Sequence, residues 1–271
     1  AGYLALALVA FLTGYIAQLY GLRPYPFYIG VALSMAGLLS SILLVKDTAV
    51  FVLHESAQTK RAPSKHIFKE TTWSNRNLSA VTQAGLINNL NDGMTWGLLP
   101  ILLFSKHFTL AESGSIAAVY PAVWGLAQIF TGALADKFCK KSLLYWGMLL
   151  QGLAILLLIP ANTFWQYIIL SAFLGFGTAL VYPTFMASIA DNSHPIDRTK
   201  SIGVFRWWRD LGYALGAILT GLLADQFNSF FAIAFVAFIT ILSALNIRFR
   251  MTCKTRNPTI TQFFRHTFRQ L

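Results

Sequence analysis

Charge is scarce in this sequence, and negative charge is scarcer still. Only 11% of the 271 residues are charged, with ten acidic against 21 basic. A soluble domain carries roughly 25% charged residues, so most of this chain's surface does not face water. Cysteine is nearly absent: Cys139 and Cys253 are the only two. That excludes a disulfide framework, and since both fall in segments read below as cytoplasmic, free thiols are expected. His54, His66, His107, His194 and His266 all fall in loops or in the tail. No metal or cofactor is therefore expected, nor is an enzyme, which would need clustered His, Glu or Cys within the spans. Alternating segments of about ten residues, the mark of a membrane β-barrel, are also missing.

What the chain does have is long apolar runs. Runs of about twenty apolar residues read as bilayer-spanning helices, because only a helix satisfies its own backbone where there is no water. Eight are predicted: Gly2 to Tyr20, Tyr25 to Val45, Ala80 to Phe104, Ser113 to Ala135, Ser142 to Ile159, Phe164 to Ala190, Ile202 to Ala224 and Phe230 to Phe249. The fold class expected is an all-α integral membrane protein in four parts: two helices (1–45), a basic cytoplasmic loop (46–79), a six-helix bundle (80–249) and a polar cytoplasmic tail (250–271). The apolar run opens at Ala1 without a Met, a basic region or a cleavage site. This reads as a fragment that begins inside a longer protein rather than a signal peptide.

The net charge of +11 follows the loops. Arg23 and Lys106 lie on one predicted face, and the other nineteen basic residues lie on the opposite one. Cytoplasmic loops hold the excess of Lys and Arg, so both termini are placed on the cytoplasmic side of a cell membrane, with a bacterial inner membrane expected. The charge then implies no nucleic-acid partner. Trp146, Trp165, Trp207 and Trp208 fall near predicted helix ends, where amphipathic rings settle.

An internal repeat adds to this. Thr131–Phe138 and Thr220–Phe227 agree at six of eight positions, and three helices separate them. An odd number puts the copies on opposite faces, as in the inverted repeats of secondary transporters. Thr13-Gly14-Tyr15-Ile16-Ala17 is a weaker echo at the end of the first helix.

The segment Gly132 to Lys141, GALADKFCKK, resembles the loop signature of the major facilitator superfamily, with Cys139 where that family has Gly. The resemblance implies that the last six helices form the whole C-terminal bundle. The first two helices would then end the N-terminal bundle, whose remaining helices are partners outside this chain. It also implies a role for Asp136: a clamp that holds the two bundles together on the cytoplasmic side in the outward-open state. Gly132, Lys137, Lys140 and Lys141 share that gating segment.

Of the ten acidic residues, only Asp92 and Asp210 lie well within predicted spans. An ionisable group inside a membrane is a functional hypothesis by default. Asp92 lies twelve residues into the third helix, about 18 Å deep, in the run Asn88-Asn89-Leu90-Asn91-Asp92-Gly93. Asn88, Asn89, Asp92 and Trp96 are the expected substrate or coupling residues, and Gly93 would permit a break in the helix. The competing reading is a hydrogen-bond cluster that only holds the helices together. Arg206, Arg209 and Asp210 are expected to act in gating, with Arg206 and Asp210 paired at i, i+4. Gly212 and Gly216 offer a close-packing face, and Tyr182-Pro183 is expected to kink the sixth helix.

The function expected is secondary active transport of a small solute by alternating access, coupled to protons through Asp92, with export as the direction. The alternative is a truncated, non-transporting membrane protein or a partner subunit.

Overall fold

A computed structural model describes residues 2–44 and 64–253. Part of the expected central loop and most of the tail therefore lie outside the described residues. Eight long helices fill what is described: α1 (Gly2–Tyr20), α2 (Tyr25–Leu44), α3 (Arg76–Ser105), α4 (Leu110–Lys137), α5 (Lys140–Leu157), α6 (Phe164–Asn192), α7 (Pro195–Gln226) and α8 (Ser229–Arg250). No strand occurs among the described residues. The chain is an all-α membrane protein. Tyr25–Leu44, Leu110–Ala135, Phe164–Asn192 and Ser229–Arg250 are long and apolar enough to cross a bilayer unaided. Large apolar side chains such as Ile42, Leu44, Ile129, Phe130 and Phe249 stand exposed along the outer surfaces, far more than water-facing protein leaves uncovered.

Local chemistry sets the helix ends. Asn75 caps α3 by accepting from the amides of Asn77 and Leu78. Thr109 and Glu112 form a capping box on α4, and Thr163 and Gln166 form one on α6. Pro195 opens α7 at a position where its missing N–H costs nothing. As a result α3 begins four residues, and α7 seven residues, before their apolar runs do. At 30 and 32 residues these helices are roughly 45 and 48 Å long, so both project beyond a hydrocarbon core of about 30 Å. Trp207 and Trp208 therefore lie well inside α7 rather than near its end. They pack against Phe68 and Trp73 of the segment leading into α3, and Trp208 donates to Thr72 Oγ1 at 3.1 Å.

Glycines fix how the helices meet, because small residues let backbones approach closely in a bilayer. Gly212 and Gly216 of α7 sit against the carbonyls of Leu86 and Leu90 on α3, as the small-residue face predicted. Gly93 lies against Tyr213 and Ala217 of α7, and α3 runs through it unbroken, so the expected local break is absent. α1 packs on α4 at Gly14 and Gly114, while α2 packs on α1 and buries none of its own residues.

Both copies of the repeat stop their helices at the same residue, with Phe138 and Phe227 as C-caps. The end of α4 shares a cavity with the ends of α6 and α8. The end of α7 lies a full helix length from that face. The expected free thiols are not found: Cys139 and Cys253 are disulfide-bonded, with Cα atoms 5.8 Å apart. The fold brings the α4–α5 loop beside the end of α8, 114 residues later.

Candidate functional site

Asp92 lies at the middle of α3 and is buried. The hydroxyl of Tyr120, from α4, donates to its Oδ1. Thr178 Oγ1, from α6, lies 3.3 Å from the same Tyr120 oxygen. Backbone packing sets this arrangement, because Gly175 lets α6 rest against the carbonyl of Tyr120. Three helices thus converge on one carboxylate, which is joined to a hydroxyl chain rather than left bare.

A row of rings continues from Tyr120. Trp124 follows one turn along α4 with ring centroids 5.8 Å apart, and Trp124 meets Tyr182 of α6 edge-on at 5.6 Å. The guanidinium of Arg209, from α7, lies 5.1 Å from the Tyr182 ring centre. Such a stack is worth about 2 kcal/mol when water is excluded. Tyr182, Met186, Ile202, Phe205, Arg206 and Arg209 line a cavity of about 240 Å³. Arg206 is exposed, and the expected Arg206–Asp210 pair does not form. Asp210 instead stands 3.7 Å from its neighbour Arg209.

The asparagines of α3 do different work. Gln151 of α5 donates to Asn88 Oδ1 at 3.0 Å and accepts from Asn91 at 3.0 Å. Thr240 of α8 donates to Asn91 Oδ1 at 2.8 Å. This network ties three helices on the side of α3 turned to α5 and α8. Asn89 is buried and Trp96 half-buried, and among the described residues no hydrogen bond joins either to Asp92.

At the start of α5, Lys140 pairs with Asp191 at 2.6 Å. Lys137 is exposed and Lys141 half-buried, and both line a cavity of about 700 Å³ with Cys139, Cys253 and Ser188. Gly132 has open space where a side chain would begin. The side chain of Asp136 lies outside the described residues.

Sequence reasoning passes over Tyr120, Trp124, Thr178, Gln151, Thr240 and Asp191. One signal was available for the rings. Tyr120-Pro121 and Tyr182-Pro183 repeat a Tyr-Pro pair inside two spans, and both tyrosines flank Trp124.

Residues 82–267 match the family model described as Major Facilitator Superfamily. The inner membrane transport protein YnfM of Escherichia coli is 24% identical over 69% of this chain and 45% of its own length. An uncharacterized transporter of Buchnera aphidicola is 28% identical over 54% of this chain and 37% of its own. A Na(+), Li(+), K(+)/H(+) antiporter of Planococcus maritimus is 27% identical over 57% and 38%. The chain spans less than half the length of these curated relatives.

Proposed function

From its membership of the Major Facilitator Superfamily, we propose that the protein carrying this chain is a secondary transporter that moves a small solute by alternating access. Proton coupling runs through Asp92, and export is the direction. One observation carries the reading: a buried carboxylate where α3, α4 and α6 converge, hydrogen-bonded to Tyr120 within reach of Thr178. A group that gains and loses a proton there changes the charge held between helices, and so the cost of closing them over a drier space. The relative named as a cation/proton antiporter supports the coupling class. The substrate pathway lies along Asp92, with Asn89 and Trp96 on the same helix, while Asn88 is held by Gln151 and ties α3 to α5. The segment Gly132, Asp136, Lys137, Lys140, Lys141 gates, and so does the group Arg206, Arg209, Asp210.

The test uses the full-length protein in liposomes loaded with a pH-sensitive dye. Candidate solutes are added to either side, and the proton flux they evoke is recorded. Asp92→Asn keeps shape and hydrogen bonding but does not titrate. We expect it to fold, lose solute-evoked proton flux and keep solute exchange. Full coupled flux in Asp92→Asn would move the coupling site elsewhere. No flux from the wild type with any solute would favour a non-transporting partner subunit.

Sidedness is part of the proposal. Lys106 and Asn162 meet on one face at 2.6 Å, and the segment around Ser64 joins Asp197 at the other. This matches the one-sided clustering of basic residues, and the basic face is cytoplasmic under the charge rule. Reporter fusions at Lys65 and Arg256 should read inside, and one near Asn162 outside. An outside signal at Lys65 overturns the orientation.

A further inference from the structure

We infer that the cavity beside Arg209 is a binding subsite for a small organic anion, a carboxylate carrying a compact apolar body. The inference rests on the transporter reading above and deepens it by naming the substrate class.

Three observations converge. The first is an unsatisfied cation. Arg209 Nε is buried with no hydrogen-bond partner among the described residues. Among the described residues, the carboxylate that pairs with it is Asp210, 3.7 Å away with a side chain 70% exposed. Such a pair is largely screened by water and leaves the guanidinium short of acceptors. A buried guanidinium N–H lacking an acceptor is costly, and a ligand carboxylate that brings an oxygen to it relieves that cost.

The second is orientation. Tyr182 faces the Arg209 guanidinium at 5.1 Å, and Trp124 backs the Tyr182 ring. The planar fork is therefore held in place before a ligand arrives, which favours bidentate recognition of a planar anion over contact with a point charge. The third is the cavity itself. Its wall carries two guanidiniums, Arg206 and Arg209, and its remaining lining is Met186, Ile202, Phe205 and the Tyr182 ring. A volume of about 240 Å³ lies below the roughly 300 Å³ at which drug-sized pockets begin. It suits a monocarboxylate with a single ring or a short chain. Asp92 does not offer a competing cation site of similar form, because its carboxylate already accepts from Tyr120.

The experiment measures binding by the purified full-length protein in nanodiscs, using quenching of tryptophan fluorescence. The probe is benzoate, compared with benzylammonium, benzamide and inorganic phosphate. We expect benzoate to bind at least about tenfold tighter than the cation or the amide, the smallest factor typical of a charged hydrogen bond. Phosphate, which lacks the apolar body, should bind more weakly than benzoate. Arg209→Gln should weaken benzoate by about ten- to a hundredfold. Arg209→Lys, which keeps the charge but loses the fork, should fall between. Met186→Trp fills the cavity with both guanidiniums kept, and it decides the matter if Arg209→Gln fails to fold; it too should abolish benzoate binding. Unchanged benzoate affinity in Arg209→Gln or Met186→Trp overturns the inference. So does benzylammonium binding as tightly as benzoate, or no benzoate binding by the wild type. Those outcomes leave the transporter reading standing, because solute-evoked proton flux tests it separately. Intact benzoate binding with no flux would sink the transporter reading alone.

Discussion

The hydroxyl of Thr131 donates a 2.6 Å hydrogen bond to the carbonyl of Ala179, the carbonyl that Pro183, four residues on, leaves without its helical donor. A proline inside α6 is tolerated in a membrane because a neighbouring helix supplies what the proline removes. The first residue of one repeat copy supplies it here. Its counterpart Thr220 spends its hydroxyl on Gly216 of its own helix, at 2.6 Å.

Thr131→Val should therefore destabilise the protein by about 0.6 kcal/mol, the average for interhelical hydrogen bonds in membranes, and by no more than about 1.7 kcal/mol. In a Pro183→Ala background the amide at position 183 takes the Ala179 carbonyl, and the effect of Thr131→Val should shrink. Thermal unfolding of the four variants in detergent gives the coupling. Equal losses in both backgrounds would show that Thr131 acts through packing alone.

Gln151→Leu strips a partner from both Asn88 and Asn91 on α3. Each is buried, so leaving them short should cost about 1–3 kcal/mol. The expected signature is lower thermal stability with substrate affinity unchanged, because the network ties α3 to α5 and α8 and stands apart from the Tyr120–Asp92 pair. A selective loss of affinity at unchanged stability would move these asparagines into the substrate pathway.

The glycines separate into two kinds. A Cβ on Gly14 would stand 2.7 Å from the Cα of Gly114, so Gly14→Ala and Gly114→Ala should each force α1 away from α4, at a cost of about 1–3 kcal/mol. Among the described residues, no atom lies within 4 Å of such a Cβ on Gly132. Gly132→Ala should be neutral or stabilising by up to about 1 kcal/mol. Thermal shifts in the opposite order would mean that α1 and α4 meet differently.

Cys139 and Cys253 provide a check on the register of α8 against the α4–α5 loop. A protease site placed in the loop between α5 and α6 cuts the chain between the two cysteines. After mild oxidation the fragments should stay together on a gel without reductant and separate with it. Fragments that separate in both conditions would place the end of α8 elsewhere.

Much of this protein is legible in its sequence, because hydropathy and charge are local properties that a bilayer sorts directly. The membrane class, eight helices, the one-sided basic loops and the burial of Asp92 all follow from runs of residues along the chain. Helix ends are less legible where polar turns extend a helix past the lipid. α3 and α7 begin early because Asn75 and Pro195 open them, and hydropathy does not register that part of a helix. The candidate site is legible only in part. Asp92 stands out as a charge inside a span, and Arg209 is read only as one of a cluster of charges at the basic end of α7. Tyr120, Trp124 and Thr178 look like ordinary span residues until the helices are set side by side. Gln151, Thr240 and the pairing of Cys139 with Cys253 are likewise invisible along the chain. Those partners depend on the rotation and height of one helix against another. Contacts such as Gly175 on Tyr120, Gly212 on Leu86 and Gly216 on Leu90 fix that register. The sequence by itself determined which segments enter the bilayer and which face of the protein gathers the positive charge. Only the tertiary structure decided what the buried charges touch, because close backbone approach at a few glycines, and not hydrophobicity, sets which side chains face one another.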